Sequence, residues 1–153
     1  MHYETKTLPA FSVVGIAVRT TNANGQSQQD ISLLWQRFFK ENILAQIPAK
    51  ESEVLYCVYT NYESDSNGAY TTLLGCKVAS LQTIPEGLTG IIIPHTSYQV
   101  YTSVGKLPDA VLETWQHIWQ SVINRKYTAD FDVYGEKAQD PNHAQVETWL
   151  SVH

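Results

Sequence analysis

A pattern stated twice constrains this chain more than any other feature. Ile31-Ser32-Leu33-Leu34-Trp35-Gln36-Arg37-Phe38-Phe39 and Val111-Leu112-Glu113-Thr114-Trp115-Gln116-His117-Ile118-Trp119 both space their apolar residues as amphipathic helices do, and both centre on a Trp-Gln pair. Each helix is preceded by one β-rich run and followed by two more. When the order of elements recurs along with the helix, an internal duplication is indicated. The expected organisation is one domain, residues 1–153, with pseudo-repeats of approximately 1–85 and 86–153. The junction of two such units forms a cleft, and small molecules bind in clefts of that kind.

The strand signals around the helices are short. Glu4 to Thr20 reads as a first strand interrupted by Pro9, with apolar residues on both alternating faces from Phe11 to Val18. Thr21 to Gln29 is polar, with an Asn24-Gly25 turn signal, and Asp30 suits the N-cap of the first helix. Leu33 and Phe39 widen the stripe made by Ile31, Leu34, Trp35 and Phe38. Glu53 to Tyr62 and Ala69 to Ala79 should pair antiparallel, because the polar loop Glu63 to Gly68 is too short for a parallel crossover. Pro85-Glu86-Gly87 is the boundary between halves. Leu88 to Val104 reads as one strand broken or bulged at Pro94. Pro108 suits the first turn of the second helix, whose stripe is Val111, Trp115, Ile118 and Val122, with Leu112 and Trp119 beside it. Ala129 to Tyr134 and His143 to Val152 supply the last strands. The order is strand-helix-strand-strand, twice.

At 43% hydrophobic and 16% charged, the 153 residues can bury one ordinary core. The formal charge is -5, and Lys and Arg are scattered singly. That argues against direct nucleic-acid binding, which needs a positive surface to displace counterions, and it fits an attraction for cations. Cys57 and Cys76 lie in apolar runs without metal-ligand spacing and read as buried free thiols. Met1 to Lys6 lacks a signal-peptide pattern, and no apolar run is long enough to span a bilayer. A cytoplasmic protein without membrane contact is expected.

No nucleophile elbow, phosphate-cradling loop or metal cluster is present, and His95, His117 and His143 are isolated. No catalytic residue, metal or cofactor is therefore expected. The informative residues are aromatic and acidic. In Asp130-Phe131-Asp132-Val133-Tyr134, strand alternation puts Asp130, Asp132 and Tyr134 on one face, with Phe131 and Val133 on the other. If Phe131 and Val133 point to the core, the acids simply face water. If Asp132 and Tyr134 instead face the cleft, a carboxylate stands beside aromatic rings. That is costly alone and becomes favourable when a cation arrives. Trp35, Phe39, Trp115 and Trp119 on the helices, with Tyr59 and Tyr70 beside the first hairpin, are the candidate walls. Core packing or cross-strand stacking would also account for any one of them.

Taken in order, several segments resemble one family: Phe11-Ser12-Val13-Val14-Gly15, Leu34-Trp35-Gln36-Arg37-Phe38, Val58 to Ser64, Gly68 to Gly75, Ile93-Pro94 with Tyr98, Thr114-Trp115 with Ile118-Trp119, and Asp130 to Tyr134. That family is the bacterial effector-binding domain, similar to the gyrase-inhibitory protein and to the ligand domains of AraC-type and multidrug-sensing regulators. The likeness covers nearly the whole chain and extends to stand-alone members carried on integron gene cassettes. It implies an α+β fold: two strand-helix-strand-strand units forming one eight-stranded antiparallel sheet, with two main helices and a ligand cleft between them. It also implies binding of amphipathic, often cationic organic compounds in an aromatic-lined acidic pocket. The family's acidic residue, usually Glu, is matched here by Asp132, one methylene shorter, and Glu136 is a second candidate. The expected role is a stand-alone sensor or sequestering module linked to transcription regulation, with a separate DNA-binding regulator as its conceivable protein partner. Two alternatives stand beside it. One is a small hydrolase using Asp132 or Glu136 as acid/base, and the other is a gyrase-inhibitor-like protein-interaction module. The want of an activated nucleophile favours binding over hydrolysis.

Overall fold

Two prolines decide how many strands there are. In a computed structural model, which describes residues 1–65 and 67–153, β1 (Tyr3–Leu8) and β2 (Phe11–Thr21) flank Pro9, while β5 (Thr89–Ile93) and β6 (Thr96–Gly105) flank Pro94. The remaining elements are α1 (Gln26–Lys40), α2 (Ile43–Gln46), β3 (Leu55–Thr60), β4 (Ala69–Val78), α3 (Asp109–Gln120), β7 (Ala129–Tyr134) and β8 (Ala144–Val152). The two interrupted strands expected from the sequence are thus four, and each piece has its own partners. β1 pairs with β6, whereas β2 pairs with β4 and β5. Proline has no N–H for a ladder and tends to end a strand or lie at an edge, so the chain turns there instead of bulging.

All eight strands form one antiparallel sheet in the order β1-β6-β8-β7-β3-β4-β2-β5. Read from either end, corresponding strands of the two halves follow the same sequence. The halves meet at β3 and β7, where Cys57 is opposite Asp132 and Tyr59 opposite Asp130. Each half also places an outer strand on the other: β1 flanks β6, and β5 flanks β2.

Both main helices lie on one face. α1 buries Leu34 and Phe38 among Val14, Ile16, Leu74 and Cys76, and Ile43 of α2 joins them. α3 buries Val111, Trp115 and Ile118 against Tyr101, Val146 and Leu150. Tyr59 and Tyr134 touch both clusters, so they lie between the helices. Some sequence expectations need correction here. Asp30 is not an N-cap: a 3-10 turn, Ala23–Gly25, and Gly25 at φ 69° start the helix one turn earlier. Asp30 instead accepts hydrogen bonds from the Thr20 hydroxyl (2.8 Å) and the Gln26 amide (3.2 Å). Leu33 and Phe39 are exposed, which makes the buried stripe of α1 narrower than the sequence pattern, and Val122 lies past the end of α3 in solvent.

The other face has a core of its own. Val13, Val58, Leu73, Ile93, Tyr98, Phe131 and Trp149 are buried there. Phe11 of β2 and Phe131 of β7 have ring centroids 5.5 Å apart although β4 and β3 separate their strands. A flat sheet would hold those strands roughly 14 Å apart, three spacings of about 4.8 Å. The sheet therefore curls away from the helices. Gly15 and Gly75, paired across β2 and β4, mark where the backbones crowd: a Cβ on Gly75 would stand 2.0 Å from the Val14 carbonyl oxygen. Cys57 and Cys76 are buried free thiols, as their apolar surroundings suggested. Among the described residues, no helix is long and apolar enough to cross a membrane.

Candidate functional site

The curl opens a cleft of about 1170 Å³ on the helical face, over the β3–β7 seam. Trp35 and Phe39 of α1 form one wall, Val111, Trp115 and Trp119 of α3 the other. Tyr59, Tyr70 and Tyr134 form the floor, and Glu53 and Glu136 stand exposed at the edge. These positions follow from local periodicity. Trp35 and Phe39 are one helical turn apart, as are Trp115 and Trp119, so each pair projects from one side of its helix. Tyr134 reaches the cleft because it shares a strand face with Asp132 and Asp130.

The rings touch in two series. Trp35 meets Tyr134 edge-on at 4.8 Å and Phe39 at 6.1 Å. Tyr70, Tyr59, Trp115 and Trp119 follow one another at 6.1, 5.2 and 6.2 Å. These rings line the open space together, and an aromatic lining of this kind attracts a flat or cationic guest.

Asp132 lies one layer behind this lining and is fully buried, so the solvated arrangement considered from the sequence does not occur. The Tyr59 hydroxyl donates to Oδ2 at 2.7 Å, the Trp115 indole N–H reaches both oxygens at 3.2 Å, and the Thr148 hydroxyl donates to Oδ1. No cation pairs with it among the described residues. Burial pushes its carboxyl up to about 6 despite the pull of those three donors, and Asp130 adds to the rise. Burial likewise raises the Tyr59 and Tyr134 phenols well above their ordinary value, with Asp132 as the next cause, so both remain neutral donors. Burial raises the Cys57 thiol to about 12, and its S–H points at the Tyr59 oxygen at 3.4 Å.

Asp130, two residues away on the same face, is fully satisfied. It accepts from the Ser151 N–H (2.7 Å), the Ser151 hydroxyl (2.9 Å), the Tyr62 hydroxyl (2.5 Å) and Arg125 Nη2 (2.9 Å). The two adjacent acids thus differ in kind: one has a built-in cation and the other has none.

Eight of the nine expected residues line the cleft together: Trp35, Phe39, Tyr59, Tyr70, Trp115, Trp119, Tyr134 and Glu136. Asp132 is reached from it through Tyr59 and Trp115. Reading the sequence missed Arg125, Tyr62, Glu53 and the Leu107–Leu112 wall. Arg125 falls in an irregular segment with no periodicity to orient it, and its five-residue offset from Asp130 was the one available hint. None of His95, His117 and His143 lines the cleft. Among the described residues, no group of His, Cys, Asp or Glu is placed to hold a metal ion.

The fold has counterparts among known proteins. The sequence profile of the family described as integron-associated effector binding protein matches residues 4–152. A Bacillus subtilis (strain 168) protein, YobU, named as a transcriptional regulator, is 32% identical over 143 residues, covering 90% of this chain and 89% of its own. The Vibrio cholerae integron cassette protein VCH_CASS2 superposes with a TM-score of 0.76 at 28% identity, covering 99% of this chain and 95% of that one. The structure of SAV2435 bound to tetraphenylphosphonium shares the fold, with a TM-score of 0.82 at 21% identity over 100% of this chain and 94% of the other.

Proposed function

This chain belongs to the integron-associated effector-binding protein family, and from that premise we propose that it binds amphipathic organic cations in the cleft between α1 and α3, with Asp132 selecting the charge. The observation that carries the reading is a fully buried carboxylate without a cationic partner among the described residues, set behind the aromatic floor of an open cleft. An unpaired buried charge is expensive, and a guest cation supplies the missing partner while its hydrocarbon part covers the rings. Tetraphenylphosphonium, the compound held by the structurally similar SAV2435, is a cation of this chemistry. The likeness to YobU, named as a transcriptional regulator, supports a sensing or sequestering role upstream of gene expression. In this reading the protein is a binding module and not an enzyme: Asp132 hands its charge to a ligand and is not aimed at a scissile bond.

The test compares para-benzylbenzyl trimethylammonium with its neutral tert-butyl isostere by quenching of tryptophan fluorescence, in wild type and in Asp132→Asn. The cation should bind wild type more tightly by roughly 1–2 kcal/mol, the scale of a desolvated cation–aromatic contact. Asp132→Asn should erase most of that difference. Equal binding of both compounds by wild type would overturn the proposal. Mass analysis of the recovered cation tests the hydrolase alternative, and cleavage at turnover would replace binding with catalysis.

A further inference from the structure

The cleft wall holds a buried cationic side chain that cation binding does not use. Arg125 lines the wall beside Trp115, and its side chain is only 6% exposed. Its backbone is pinned to the end of β8 by the bridge to Val152 and by the Lys126 N–H donating to the Ser151 carbonyl at 3.0 Å. The guanidinium carbon stands 4.3 Å from the Tyr127 ring centroid and 5.8 Å from that of Trp115. Nη2 donates to Asp130, but among the described residues neither Nε nor Nη1 has an acceptor, and Nε is buried. Asp130 does not meet that need, because its oxygens already take two bonds from Ser151, one from Tyr62 and one from Nη2. A guanidinium carries five N–H donors in a rigid fork, and a buried donor left without an acceptor is costly.

We infer that Arg125 recognises a hydrogen-bond-accepting oxygen on the bound compound, so that the preferred effectors are aromatic cations bearing a neutral carbonyl-type oxygen. This rests on the cation-binding reading above and adds a second point of recognition to it. A carboxylate is the poorer match. The Arg125–Asp130 pair is already balanced, and a further anion would meet Asp130 across the same guanidinium and Asp132 beyond Trp115. A neutral oxygen accepts from the free donors without that repulsion. Trp115 sets the spacing: its indole N–H faces Asp132 and its ring lies near Arg125, so the cationic and oxygen groups of the guest are separated by about the span of one indole.

The experiment titrates para-benzoylbenzyl trimethylammonium and para-benzylbenzyl trimethylammonium, which differ by a carbonyl in place of a methylene. Wild type should bind the ketone about tenfold more tightly, the scale of one hydrogen bond from a charged donor after desolvation. Arg125→Lys keeps a cation opposite Asp130 but lacks the fork. It should bring the two affinities together, so that the ratio of ketone to methylene affinity falls from about ten to about one. If that variant does not fold, wild type alone decides: the Arg125 guanidinium N–H resonances in a nitrogen-15 spectrum should move further with the ketone than with the methylene compound. Equal affinities in wild type, a preference that survives Arg125→Lys, or guanidinium N–H shifts that are the same with both compounds would each overturn the role of Arg125 and leave cation binding intact. Failure of both compounds to bind wild type would overturn cation binding itself, and this inference with it.

Discussion

Replacing Asp132 with Asn should stabilise the unliganded protein, and the gain should grow with pH. The carboxyl is raised by burial from an ordinary 3.8 to about 6. Between those values the folded protein keeps a proton that the unfolded chain has released. Stability from this group is therefore fully present below about pH 4 and is lost as pH rises through about 6. A shift of about two pKa units, at about 1.4 kcal/mol each, amounts to roughly 3 kcal/mol by neutral pH. Full burial means that solvent does not screen this cost. Asn keeps the shape: its oxygen accepts from the Trp115 indole and from one of the Tyr59 and Thr148 hydroxyls, and its amide donates to the other hydroxyl, which rotates to accept. The assay is urea denaturation of wild type and Asp132→Asn at several pH values from about 4 to about 8. Every other titrating group is common to both proteins, so the difference isolates Asp132. It should move in favour of Asn by roughly 2–3 kcal/mol across the range, most of it between about pH 4 and about pH 6, and level off above that. A difference that is flat with pH, or that moves toward wild type as pH rises, would refute the account of Asp132 as a buried carboxylate without a cationic partner. Saturation with a cation should shrink the wild-type pH dependence, because the guest holds the group ionised.

Two further outcomes follow from other contacts. Tyr59→Phe removes the 2.7 Å donor that lowers the Asp132 pKa, so the pH at which cation affinity is half-maximal should rise, and binding titrations in a pH series would show a fixed or lowered midpoint if the reasoning fails. Gly75→Ala forces a Cβ to within 2.0 Å of the Val14 carbonyl, and thermal unfolding should reveal a loss of about 4 kcal/mol or more, whereas a near-wild-type melting temperature would show that β2 and β4 can separate without harm.

The elements legible in the sequence were those set by local spacing. Trp35 and Trp115 identify their helices because an apolar stripe at helical period has few other uses. The β3–β4 hairpin follows from loop length. The alternation in Asp130 to Tyr134 correctly divided that strand into two faces, but which face met a cleft depended on the curl of the whole sheet. Pro9 and Pro94 were visible as interruptions. Their real effect, sending consecutive strands to different halves, is a long-range property that no local signal carries. Asp30 was misplaced because its cap-like chemistry serves Thr20 across space, while Gly25 starts the helix. Arg125 was missed for a related reason: its meaning lies in Asp130, Tyr127 and Trp115, which only the folded chain brings together.

The exchange of outer strands also sets an order of events during synthesis. β1 leaves the ribosome ahead of the other seven strands, yet its partner β6 is complete only when Gly105 has been made. Until then β1 is an unpaired edge sequence, the kind of segment that aggregates when apolar. Its composition suits the wait: Glu4 and Lys6 lie within it, and in the finished fold they still face solvent, 3.4 Å apart. β2 waits as well, with its outer edge open until β5 arrives. The nascent chain can assemble α1 on β2, β3 and β4 early, but it cannot close either margin of the sheet until the second half has emerged.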